Sequence, residues 1–117
     1  MEKYIQVKNN EKIVIYQLNE SEAAKELLTL LPLQKEVENF SNNEKIVYLP
    51  KALNTQNTPM AQHGIETLSY FEPWHNIVFY YDDFGPYPGL YQIGKLVKGQ
   101  EYIKDFQGLV EISEYHE

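Results

Sequence analysis

Directly after an apolar run, and before a loop rich in Gly and Pro, the chain carries an acidic pair, Asp82-Asp83. Two neighbouring carboxylates are the raw material of general acid–base chemistry, one held protonated and the other ionised. Their spacing counts against that use. Adjacent residues on an extended strand point to opposite faces, so the pair does not readily share a proton or a metal. The plainer reading is a solvated strand end leading into a turn. Glu72, His63 and His75 raise the question of a metal site with Asp82. Their spacing matches no known ligand pattern and the histidines fall in separate loops, so turn histidines on the surface explain them better and no metal is expected. No serine stands in a Gly-x-Ser-x-Gly elbow, and no nucleophilic site is read.

Aromatic residues offer a different chemistry. The chain has ten Tyr, five Phe and one Trp. Phe79, Tyr81, Phe84, Tyr87 and Tyr91 cluster in sequence, with Tyr48, Tyr70, Phe71 and Trp74 around them. One reading is a core with a rim of half-buried tyrosines. The other is a shallow aromatic groove that holds a peptide, a flat small molecule or a partner protein. Such a groove needs no catalytic residue.

Composition narrows the field. A chain of 117 residues is long enough for one core and too short for two, so residues 1–117 read as a single domain. With 43% apolar and 23% charged residues the composition is that of a globular domain. No cysteine is present, which excludes disulfides, thiolate catalysis and zinc–thiolate sites. The ten basic residues are all Lys, and the net charge is −7. That surface repels nucleic acid and anionic lipid, and neither is expected as a partner. Without Arg there is no bidentate clamp for carboxylate or phosphate. No glycine-rich cradle accompanies any Lys, and no cofactor is expected. MEKYIQVKNN lacks an apolar stretch, no segment reaches membrane-spanning length, and the reading is a soluble cytoplasmic domain.

The elements that must position these residues are mostly strands. Residues 4–8 and 12–18 are β-branched and aromatic around Asn9-Asn10, which reads as a hairpin. A helix follows over 21–31. Asn19 with Glu22 fits a capping box, and Ser21 is an alternative cap. Leu27, Leu28 and Leu31 line one face, and Pro32 ends the helix. Helices this short do not persist alone, so these leucines must cap a sheet. Residues 33–40 alternate weakly, Ser41-Asn42-Asn43 is a turn, and 45–49 is a strand. Residues 51–63 are irregular and polar. Strands then fall at 65–72, 77–81, 91–97 and 109–115, with a helical turn between Gly99 and Gly108. The continuous apolar run Ile77–Tyr81 predicts a strand buried on both faces. About eight strands without βαβ alternation predict a mainly β fold, a closed antiparallel barrel whose ends are capped by two short helices.

This order resembles the cyclophilin-like fold, and more narrowly a family of small bacterial and archaeal cyclophilin-like proteins. The matching pieces are Leu-Leu-Thr-Leu-Leu-Pro-Leu (27–33), Asn-Glu-Lys…Tyr-Leu-Pro (43–50) and Gly…Tyr-Phe-Glu-Pro (64–73). Val-Phe-Tyr (78–80) and Ile-Gly-Lys-Leu (93–96) complete the set. The resemblance implies the barrel without an established activity. It also implies the loss of prolyl isomerase chemistry. Cyclophilins use an Arg, absent here, and a His just before the strand that Tyr91-Gln92-Ile93-Gly94-Lys95 matches. The counterpart of that His is Leu90. The function read is therefore a binding or interaction module rather than an enzyme. The alternatives are a weak isomerase with a rearranged groove, and, by family association, an accessory to a flavin or redox partner. The resemblance places the substrate floor of cyclophilins on the strands through Ile77–Tyr81 and Tyr91–Leu96. It thus predicts one concave surface bordered by Tyr81, Phe84, Tyr87 and Tyr91, with Phe79 and His63 in the candidate set and the 51–63 loop alongside. Asp82 and Asp83 would favour a neutral or cationic ligand over an anion.

Overall fold

The computed structural model describes residues 2–116. Short β-branched and aromatic runs leave each strand with an apolar face, and pairing the strands side by side buries those faces together. In chain order the strands are β1 (Lys3–Asn9), β2 (Lys12–Leu18), β3 (Leu33–Glu36), β4 (Glu38–Phe40), β5 (Glu44–Tyr48), β6 (Thr67–Phe71), β7 (Asn76–Tyr80), β8 (Leu90–Lys98) and β9 (Leu109–Tyr115). Helix α1 (Glu22–Leu30) follows β2, and the single turn α2 (Gln100–Ile103) follows β8. Among the described residues no helix is long and apolar enough to cross a membrane.

The strands form one antiparallel sheet in the order β3-β9-β1-β2-β8-β6-β7-β5-β4. Its edges, β3 and β4, are separated in the chain by Val37 alone, so the sheet curls round into a nearly closed barrel. The expected eight strands become nine at that residue. The Val37 amide donates to the Gly108 carbonyl (2.9 Å), the last step of the β3–β9 pairing, and from Glu38 the chain pairs with β5 instead, which divides the weakly alternating segment 33–40 between two partners.

Alternating residues fill the interior. Val7, Val14, Leu68, Ile77, Phe79, Ile93 and Ile112 belong to one buried cluster. Helix α1 closes the end where β2 finishes and β8 begins. Ser21 is its N-cap, accepting the Ala24 amide (3.2 Å), while Asn19 stands one step behind and accepts the Ser21 amide (3.1 Å). Of the three leucines expected to cap the barrel, Leu27 is sealed in, together with Ala23 and Ala24; Leu28 and Leu31 are only partly buried. The alanines explain the rotation. Small side chains let the helix lie close to the barrel, so the stripe through Ala23, Ala24 and Leu27 is the one that faces it. Leu53 joins this cap, its amide donating to the Tyr70 hydroxyl (2.9 Å).

Tyr16 stacks on Phe79 inside the barrel (6.0 Å, 29°), and its hydroxyl has no partner among the described residues. Burial pushes its pKa up. A buried, unpaired hydroxyl carries a desolvation cost that an isosteric ring avoids. Tyr16→Phe is therefore expected to stabilise the fold by about 1 kcal/mol in urea denaturation. A loss of stability of similar size would mean that the hydroxyl is satisfied.

Candidate functional site

Strand β7 is buried along its whole length, as its continuous apolar run predicts. The interior accounts for Ile77 and Phe79. A second cluster covers the outer face: Ile46, Val78, Tyr80 and Leu90, with Ala61 from the 51–63 segment and Phe71 and Phe84 packed on it. Register decides which side chains meet there. Glu44 lies opposite Tyr80, Ile46 opposite Val78, and Phe71 opposite both Asn76 and Leu90. Asn76, Val78 and Leu90 form the floor of a pocket of about 220 Å³.

Two connections raise the walls. The first is the 3-10 turn Glu72–Trp74, which contains Pro73 and ends on His75 in the left-handed region (φ 54°). It sets Trp74 edge-on to Phe71 (5.4 Å, 81°) and to Phe40 of β4 (5.1 Å, 81°). The second is the loop 81–89. Tyr87 leans on Phe71 (5.8 Å) and on Phe84 (6.0 Å), and Phe84 stacks on Tyr80 (6.0 Å, 13°). The rings thus follow one another from Phe40 to Tyr80 without a break. Two glycines make the close approaches possible. A Cβ on Gly89, whose φ is +87°, would lie 2.8 Å from Pro73 Cδ, so only glycine lets the second loop pass under the first. A Cβ on Gly64 would lie 2.8 Å from the Tyr80 ring.

Asp83 fastens the second loop. Its Oδ1 accepts the amides of Phe84 (2.9 Å), Gly64 (3.3 Å) and Ile65 (3.4 Å). These amides, Phe84 foremost, hold its carboxyl below the usual range, with His63 nearby adding to the effect. The acidic pair is therefore structural: Asp82 accepts the Asp83 amide (2.8 Å), and Asp83 positions Phe84.

Glu44 closes the ring of side chains. The register places it opposite Phe40 on one side and opposite Tyr80 on the other. It is 7% exposed and makes no ion pair among the described residues. Burial pushes its pKa up to about 7. Asn76 is buried in the floor, and its Oδ1 has no partner among the described residues.

The model of the Cyclophilin-like family matches residues 6–113, from within β1 to within β9. The chain belongs to the cyclophilin-like family. No curated protein matches it.

In this cyclophilin-like barrel the candidate residues separate. Phe84 and Tyr87 line the pocket. Phe79 does not: it is fully buried inside the barrel, stacked on Tyr16. Tyr81 packs half-buried against the interior cluster. Tyr91 lies opposite Tyr70, one residue and hence one face away from Leu90. The expected surface bordered by Tyr81, Phe84, Tyr87 and Tyr91 together is thus split by strand alternation. His63 is exposed beside Asp83, outside the pocket lining. The 51–63 segment flanks the pocket from below, with Ala61 donating to the Leu90 carbonyl (3.0 Å) and Met60 bridging Tyr91. Among the described residues no three His, Asp or Glu side chains converge, so Glu72, His75, His63 and Asp82 do not gather into one ligand set. Leu90, the position that the resemblance sets against the cyclophilin histidine, lies in the floor. Sequence reading missed Phe40, Glu44, Asn76 and Tyr80. The signal for Glu44 was the short turn at 41–43, which sets Phe40 and Glu44 across a hairpin.

Proposed function

We propose that this cyclophilin-like barrel is a binding module whose ligand enters the outer-face pocket, and that it does not isomerise prolyl bonds. The observation that carries the reading is the ring of aromatic side chains built over Leu90. The position that the resemblance assigns to catalysis is occupied by an alkyl group, while its surroundings have been made into a container. Rotation about an amide faces a barrier of about 20 kcal/mol, and lowering it takes a donor aimed at the amide. The chain holds no Arg for that role. A volume near 220 Å³ lies below the roughly 300–1,000 Å³ of sites for drug-sized molecules. It suits one side chain or a small head group, rather than a flat cofactor or a length of peptide.

The reading has two tests. In a protease-coupled assay an Ala-Pro peptide is expected to isomerise at its uncatalysed rate, over tens of seconds; acceleration proportional to protein concentration would refute the second half of the proposal. In an NMR fragment screen, hits are expected to shift the Trp74 indole and the Tyr87 ring, with Tyr81 and Tyr91 little affected. Hits that gather elsewhere on the barrel would refute the first half.

A further inference from the structure

The geometry points to the guest itself: a positively charged, N-methylated ammonium group, held by the aromatic ring and faced by Glu44. This rests on the binding reading above and names its ligand class.

The argument begins with what Glu44 costs. A carboxylate placed among Phe40, Tyr80 and Val78 gives up most of its water without an ion pair or hydrogen bond among the described residues, a cost it meets by holding its proton or by facing a counter-charge. The described residues supply none. Lys45, its neighbour, points to the other face of β5 and donates to Asn39. No Lys lines the pocket. The counter-charge is therefore left to the ligand.

The walls select the kind of cation. Aromatic faces present negative charge, and a cation within about 6 Å of a ring centroid is attracted to it, most strongly by Trp. Trp74 is the only Trp in the chain, and it stands in this wall, 45% exposed. A bare ammonium brings three donors. The Glu44 carboxylate, the unpartnered Asn76 carbonyl and the Tyr80 and Tyr87 hydroxyls can accept on their own sides of the pocket, while the rest of the wall is ring faces and aliphatic groups that accept nothing from an N–H. Methyl groups on nitrogen remove the donors, keep the charge and bury apolar surface against the rings. An anion is excluded by Glu44, and a neutral apolar guest leaves Glu44 unpaired.

Choline and its uncharged carbon isostere, 3,3-dimethylbutan-1-ol, decide the matter, each titrated into the intact protein with Trp74 fluorescence as the readout. Choline is expected to bind at least about tenfold more tightly than the alcohol. Glu44→Gln, which keeps the shape of the wall, is expected to weaken choline several-fold, leaving the part of its preference over the alcohol that the rings supply, and to move the alcohol far less. A peptide carrying trimethyllysine is titrated in parallel. Tighter binding than choline assigns the cation to a modified protein side chain, weaker binding assigns it to a free amine, and equal binding shows that recognition ends at the methylated nitrogen. The inference is overturned if the alcohol binds as tightly as choline, if Glu44→Gln leaves choline affinity intact, or if neither probe perturbs Trp74. The first two results would leave the pocket a binding site for another guest. Probe-induced NMR shifts confined to another face of the barrel would sink both readings.

Discussion

Phe79→Ala is expected to destabilise the barrel by about 3–5 kcal/mol, measured by urea or thermal unfolding. The ring is fully buried. It stacks on Tyr16 and meets Phe106 edge-on (6.2 Å, 83°), so it ties β7 to β2 and to the segment after α2. Removing it opens a cavity lined by strands that pair with other strands and cannot collapse freely, which places the cost toward the upper part of that range. Domains of this size are stable by only about 5–15 kcal/mol, and the variant is expected to be near the limit of folding. Leu27→Ala acts by the same mechanism at the capped end, at about 2–5 kcal/mol, and should cost clearly more than Leu28→Ala because Leu28 is only partly buried. Equal losses at the two leucines would contradict the packing of α1.

Glu44→Gln is expected to change how stability depends on pH. The carboxyl is raised from its ordinary 4.5 to about 7 by burial. Below pH 4.5 it is protonated in both the folded and the unfolded chain, and its contribution to stability is fully present. Between roughly pH 4.5 and 7 the unfolded chain releases the proton while the folded chain keeps it, so stability falls as pH rises, and above that window the loss is complete. The full shift corresponds to roughly 3 kcal/mol, and solvent at the pocket mouth reduces it, giving an expected loss of about 1–3 kcal/mol. Tyr80 and Tyr87 are the other titratable side chains lining the pocket, and burial pushes the pKa of Tyr80 up, away from this window. Denaturation of wild type and Glu44→Gln at pH 4.5 and pH 8 isolates the effect. The variant should lack this loss and be the more stable of the two at pH 8. A variant less stable than wild type at pH 8 would show that the charged carboxylate is paired.

Much of the barrel could be read from periodicity. Ile5 and Val7 alternate and Pro32 ends α1, local rules that tertiary structure left in force, while the hairpin turn falls at Asn10-Glu11, one residue later than Asn9-Asn10, because Asn9 pairs with Lys12 as the last residue of β1. Closure was read from about eight strands without βαβ alternation, and the family resemblance agreed with it. The pocket was half legible. Phe84 and Tyr87, set in a loop of Gly and Pro, announced themselves, whereas the strand residues did not. A strand buried on both faces has no polar residue to mark its outer side, and the run Ile77–Tyr81 gives no phase. A slip of one residue exchanges Tyr80 for Tyr81 and puts Phe79 on the wrong side of the sheet. Glu44 was hidden by its type. A carboxylate at a strand start reads as solvated; the short turn at 41–43 hints at Phe40 across from it, and the pairing of β5 with β7 adds Tyr80 on the other side.

The walls of the pocket differ in stiffness. Val78 rides on β7, hydrogen-bonded on both edges and covered on both faces. Phe40 rides on β4, three exposed residues at the seam of the barrel with one paired neighbour, β5. Local opening concentrates where buried contacts are fewest, so the seam side yields first. On the binding reading proposed above, a guest of larger girth would enter by displacing Phe40, which lies outside the interior cluster. Discrimination between head groups should therefore be strict toward the floor and lenient toward the seam.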